Sequence, residues 1–170
     1  MNKYIWIFPV LFMFHDMEEV VGIKPWLAKN MDEVAGRFPA AKKLLSAYKD
    51  ITTEGFALAV YEELAVLIAV CAVLEITGLE FVRGIWFGGL IGFTLHLVIH
   101  ILQAAAIRRY IPALITSVLS LPPSILLLMH SYQPMNLTAI AGAVLGAAGV
   151  GANLKLAHKI MHWYSAKLTR

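Results

Sequence analysis

Histidines and carboxylates stand at helical spacing inside segments that are otherwise apolar. His15, Glu18 and Glu19 form one group, Glu62 and Glu63 a second, and His96 and His100 a third. His15 and Glu19 are four residues apart, as are His96 and His100, so each pair shares one face of a helix. Imidazole and carboxylate together make the ligand set of a zinc, iron or manganese site. Helical bundles hold one or two such ions with glutamates and histidines that project inward. An ionisable side chain within a membrane span costs roughly 2.5 kcal/mol or more, and a divalent metal would offset that cost. The metal-ligand candidates are His15, Glu19, Glu62, His96 and His100, for one ion or two. Glu18 and Glu63 are the candidates for a general base, and Asp16 for a supporting role. Helix neighbours diverge by about 100°, so only one member of Glu18–Glu19 and of Glu62–Glu63 faces a common site. Without a metal, the same groups make an acid–base or proton-relay site, or a purely structural polar network.

The rest of the chain says where these residues lie. Of 170 residues, 59% are hydrophobic and 15% charged, against roughly 25% charged in an average globular chain. Mean hydropathy is +0.72. These values exclude a disordered chain, a basic nucleic-acid-binding domain and an ordinary cytosolic enzyme. They indicate a single-domain integral membrane protein, all-α and polytopic. Five stretches are long and apolar enough to span, at about 4–21, 52–78, 84–107, 111–130 and 137–156. Short breaks between the last four favour an up-down bundle. The only long connection, Gly22 to Asp50, contains Pro25, Gly36 and Pro39. Its segment at about 39–50 places apolar residues on one face and lysines on the other, as an interfacial amphipathic helix does. The segment after Lys155 resembles a basic helix end. Cys71 is a lone cysteine in an apolar run and reads as core. His15, Asp16, Glu18 and Glu19 interrupt the first run where a cleavage site would be sought, so no cleavable signal peptide is expected.

Charge orients the five spans. Lys24, Lys29, Arg37, Lys42, Lys43 and Lys49, with Arg108 and Arg109, and with Lys155, Lys159, Lys167 and Arg170, fall on one side; Lys3 and Arg83 fall on the other. The positive-inside rule then puts the C-terminus in the cytoplasm and the N-terminus outside, in a bacterial cytoplasmic membrane. His15–Glu19, Glu62–Glu63 and His100 then share a layer in the cytoplasmic half. Gly84, Gly88 and Gly92 continue the row of His96 and His100, and Gly142 and Gly146 make a similar seam. Such faces allow close helix approach, within the chain or in a homodimer.

His15-Asp16-Met17-Glu18-Glu19 resembles the motif that names the HXXEE family of small bacterial membrane proteins. The glutamates of the second span and the histidines of the third also resemble that family, and the similarity in architecture covers most of the chain. The resemblance implies motif positions at His15, Glu18 and Glu19, and no chemistry. In fold alone, the bundle is similar to sterol-isomerase-like membrane proteins, which move protons on a lipid with buried carboxylates.

Two functions from different classes follow. One is an intramembrane metal-dependent enzyme acting on a lipid-like or isoprenoid substrate, in a cavity toward the inner leaflet; hydrolysis, isomerisation and oxidation all remain open. Its partners are membrane lipids and that substrate, with no nucleic acid. The other is an ion- or proton-coupled transporter or binding protein using the same groups. Against transport, there is no obvious inverted repeat. No P-loop, dinucleotide fingerprint or nucleophile elbow is present. His158 and His162, four apart, read as a solvated cytoplasmic face or a surface metal site. The orientation has a direct test. Green fluorescent protein fused after Arg170 is expected to fluoresce and alkaline phosphatase there to be inactive; the reverse pattern contradicts it.

Overall fold

The computed structural model describes residues 4–39 and 42–169, all helix, turn or irregular. Lys3, Arg170 and the Ala40–Ala41 start of the expected interfacial segment lie outside these residues. The helices are α1 (Ile7–Arg37), α2 (Lys42–Ala47), α3 (Thr53–Thr77), α4 (Glu80–Ile107), α5 (Leu114–Ser131) and α6 (Leu137–Leu168). Four of them, α3 to α6, are long and apolar enough to cross a membrane. Many of their large apolar side chains point outward, including Ile76, Leu102, Met129 and Val144. In water that surface would be unfavourable, and against lipid it is the natural outer face.

The ends follow local chemistry. Thr52 caps α3 by accepting from the Gly55 N–H at 3.0 Å, and Asn136 caps α6 by accepting from the Ala139 N–H at 2.8 Å. Gly78 ends α3 at φ +60°, the left-handed conformation that glycine adopts without steric cost.

Three boundaries differ from the sequence reading. The Gly22–Asp50 stretch is not a loop throughout, because α1 continues through Pro25 to Arg37. Side-chain contacts outside the helix hold it straight on. Trp26 Nε1 donates to the Tyr110 carbonyl at 2.7 Å, Arg37 Nη1 to the Ile107 carbonyl at 3.0 Å, and Arg109 Nη1 pairs with Glu33 Oε2 at 2.8 Å. Leu27 and Val34 bury the same face. Among the described residues of the expected 39–50 helix, Lys42–Ala47 is α-helical and residues 48–50 form a turn. The last helix does not stop at Leu156. It runs on to support α3, where the Thr52 N–H donates to Ser165 Oγ at 2.9 Å and Met161 packs with Ala59.

The glycine rows meet each other within the chain. A Cβ on Gly84 or Gly88 would lie 2.1 or 2.0 Å from the carbonyl oxygens of Ala139 or Ala143, and on Gly142 or Gly146 it would lie 2.1 or 2.2 Å from those of Phe81 or Ile85. The seam considered for a homodimer is therefore the α4–α6 contact. Backbones this close gain dispersion that larger side chains would prevent. Ile5, Phe8, Trp86, Leu90 and Leu97 form the core beside it. Gly88→Ala is expected to destabilise the protein by about 1–3 kcal/mol, read as thermal unfolding in detergent. Gly149→Ala, with nothing within 4 Å of its added Cβ, is expected to be neutral; equal effects would contradict this packing.

Candidate metal centre

α1 and α4 bring the donors together. His15, Glu19, His96 and His100 each offer a ligand atom, and the four atoms lie within 4.8 Å of one another. His100 Nε2 is 2.8 Å from Glu19 Oε1 and 3.0 Å from His96 Nε2. The His15 ring centroid lies 5.2 and 5.3 Å from those of His96 and His100. Donors of a tetrahedral site with bonds of ~2.0–2.2 Å stand about 3.4 Å apart. The short contacts already have that scale, and the widest pair lies within 4.8 Å.

The hydrogen-bond count fits a cation. An imidazole nitrogen carries at most one hydrogen, yet His100 Nε2 is within bonding distance of two groups. His15 Nε2 is buried with no partner, although buried polar atoms are normally satisfied. A metal at the convergence would satisfy both nitrogens and would offset the Glu19 charge. Thr116 Oγ1 lies 3.3 Å from His15 Nδ1, the position of an outer partner that orients a ligating histidine.

Glu18 points elsewhere. Its carboxylate accepts from the Thr116 N–H and Thr116 Oγ1, both at 2.7 Å, from Tyr110 OH at 2.6 Å, and from the Ile115 N–H at 3.4 Å. These amides belong to the first turn of α5, whose own cap residue, Ala113, offers no side chain for the purpose. Glu18 is thus the N-cap of α5, supplied from α1, and its charge complements the positive end of the helix. Gly22, one turn on, lets Pro112 approach; an added Cβ would meet the proline ring at 3.0 Å. This geometry sets Glu18 away from the role of base considered for it.

A family model described as a protein of unknown function with HXXEE motif matches residues 6–128. The chain belongs to the HXXEE family. No curated protein and no solved structure matches it. The HXXEE residues divide into two tasks, since His15 and Glu19, one turn apart, face α4 while Glu18, about 100° round the helix from Glu19, caps α5. The matched range takes in α1 to α4 and α5 as far as Leu128, and so contains all four donors and the contacts of Glu18 with Tyr110, Ile115 and Thr116.

Beside the donors lies a cavity of about 710 Å³ between α1, α3, α4 and α6. Glu19, His96 and His100 line it, and so do Asp16 and Glu63. Phe8, Phe12, Leu67 and Phe93 form an apolar part of its wall. Glu62 is outside the donor group and accepts from Asn153 Nδ2 at 3.3 Å. Glu75 accepts from Trp6 Nε1 at 3.0 Å. His158 also lines the cavity, which the reading as a solvated face did not foresee. Its Nδ1 donates to the Leu154 carbonyl at 2.7 Å, so its Nε2 accepts from Tyr48 OH at 2.9 Å. Burial, with Glu19 and Glu63 nearby, pushes the Tyr48 phenol up to about 12, so Tyr48 remains a donor near neutrality. No periodicity marked Tyr48, which follows the end of α2.

Glu18→Ala is expected to cost about 1–2 kcal/mol, as loss of a helix cap does. Tyr110 is pushed up to about 12 by burial and by its bond to Glu18. Its contribution is therefore complete below pH 10 and lost as pH rises through about 12, a dependence that Tyr110→Phe should remove. Denaturation of the variants across this pH range checks both; an unchanged stability for Glu18→Ala contradicts the cap.

Proposed function

We propose that this protein is an intramembrane metal-dependent enzyme acting on a lipid-like or isoprenoid substrate. The observation that carries the reading is the convergence of His15, Glu19, His96 and His100 beside an apolar-walled cavity. Four donors suit one zinc, iron or manganese ion, and Glu62 stands apart from them. In this reading the first half of α1 is a fifth span, its donors tolerated because they ligate. The N-terminus is outside and the C-terminus in the cytoplasm of a bacterial cell.

When bound, the metal would polarise a substrate oxygen or lower the pKa of water. The chain's own residues do the remainder. The apolar wall orients the substrate chain and excludes water. Glu63 and Asp16 face the cavity from α3 and α1, and Glu63 is the group assigned to proton transfer at the substrate head. Thr116 fixes the His15 ring and Glu18 fixes Thr116. A metal-free acid–base lipid isomerase is the second reading, favoured by the direct 2.8 Å contact of His100 with Glu19, which partly satisfies both groups.

Elemental analysis of detergent-purified protein separates the two. About one ion of zinc, iron or manganese per chain is expected, falling at least about tenfold in His96→Ala and Glu19→Gln, whereas Glu62→Gln keeps it. Only trace metal in the wild type would leave the isomerase.

A further inference from the structure

The cavity is polarised along its length. α1, α4 and α6 run parallel, since the Ile5 carbonyl meets Trp86 and Glu19 meets His100, while Gly84 abuts Ala139 and Gly92 abuts Val150. Along α1 the wall passes from Phe8 to Glu19, along α4 from Trp86 to His100, and along α6 from Val150 to His158. One end is therefore apolar and the other polar. A volume of about 710 Å³ lies within the ~300–1,000 Å³ of small-molecule sites and suits one chain with a small head at the polar end.

Tyr48 stands at that end and is held from three sides. Lys24 Nζ of α1 donates to the carbonyl of the neighbouring Lys49 at 3.0 Å. The rings of Phe56 on α3 and His158 on α6 meet the Tyr48 ring edge-on, at 6.5 and 5.6 Å between centroids. The direction of the Tyr48 hydrogen bond is fixed. A neutral imidazole has one N–H, and the Leu154 carbonyl takes it from His158 Nδ1 at 2.7 Å. Nε2 then accepts, and the single hydroxyl hydrogen of Tyr48 goes to it at 2.9 Å. The phenol oxygen keeps its acceptor capacity, and among the described residues no donor engages it. Both side chains line the cavity, so what Tyr48 offers a ligand is an acceptor. An aldehyde, ketone or ether could bond there only by taking the hydrogen from His158 and leaving Nε2 unpaired. A hydroxyl donates to the phenol with no bond broken, and its own oxygen still accepts.

We propose that Tyr48 binds the ligand head and selects a hydrogen-bond donor, so that the cavity takes a single-chain lipid alcohol. His158 acts through Tyr48 and is a positioning residue. This rests on the reading of the cavity as a lipid site and names its substrate class.

Equilibrium binding to the full chain in nanodiscs tests it, with hexadecanol and hexadecyl methyl ether as probes and empty nanodiscs as the reference. The two share a chain and an acceptor oxygen, and only the alcohol donates. Hexadecanol is expected to bind at least about fivefold more tightly. Tyr48→Phe is expected to cut that gap at least about threefold. His158→Leu releases the phenol hydrogen, so the ether is expected to bind at least about threefold more tightly than it does to the wild type. Thermal unfolding in detergent reports the fold of each variant, and either one that folds carries the comparison. A purely structural tie between Tyr48 and His158 would weaken both probes together and leave their ratio unchanged, which overturns the proposal. Equal binding of the two probes to the wild type also overturns it and leaves the lipid cavity standing, whereas binding of neither removes both.

Discussion

A carboxylate and three imidazoles packed together at low polarity, with no lysine or arginine paired with them among the described residues, set the terms for this bundle. Isolated charge in such surroundings costs several kcal/mol. Glu19, His15, His96 and His100 meet that cost only by mutual contact or by a shared cation. Everything that positions α1 against α4 therefore bears on the centre. The Ile5 carbonyl receives Trp86 Nε1 at 3.3 Å, which fastens the start of α1 to α4, and His15 stacks edge-on against Phe93. Gly84 and Gly88 press α4 onto α6, on the same row that ends in His96 and His100.

The second constraint is the start of α5. A helix that begins at a residue without a capping side chain leaves its first amides unsatisfied. Glu18 supplies the acceptor from α1, and Thr116 links that cap to the His15 ring. The α4–α5 connection bends through left-handed Arg108 and Ala113 at φ 59° and 72°, conformations uncommon for residues with a Cβ. Trp26, Arg37 and Glu33 clasp the same connection from the far half of α1. The long first helix is thus a splint along a strained turn, and the turn stands one contact away from the donors.

Much of this was legible in residue spacing. Four-residue intervals named His15 with Glu19 and His96 with His100, and the structure brings those four together. The apolar runs located α3, α4 and α5 to within a few residues. What escaped depends on contacts between segments distant in sequence. Pro25 reads as a helix break, yet bonds from Trp26 and Arg37 to residues about seventy or more positions away carry α1 across it. Glu18 looked like a base because its type and place suit one; its capping bonds go to amides of α5, which no local pattern announces. His158 sits among lysines in sequence, and only the fold turns it toward Tyr48. Asp16 was assigned a supporting part, and only the fold shows it buried at the cavity wall.

His15, Glu19, His96 and His100 are proposed to form one metal site. Anomalous diffraction at the edge of the metal found in purified protein locates the ion directly. A single peak is expected among His15 Nε2, Glu19, His96 and His100, within ~2.0–2.3 Å of their donor atoms. A peak at His158 and His162, or density showing the four side chains hydrogen-bonded with no ion between them, would contradict it.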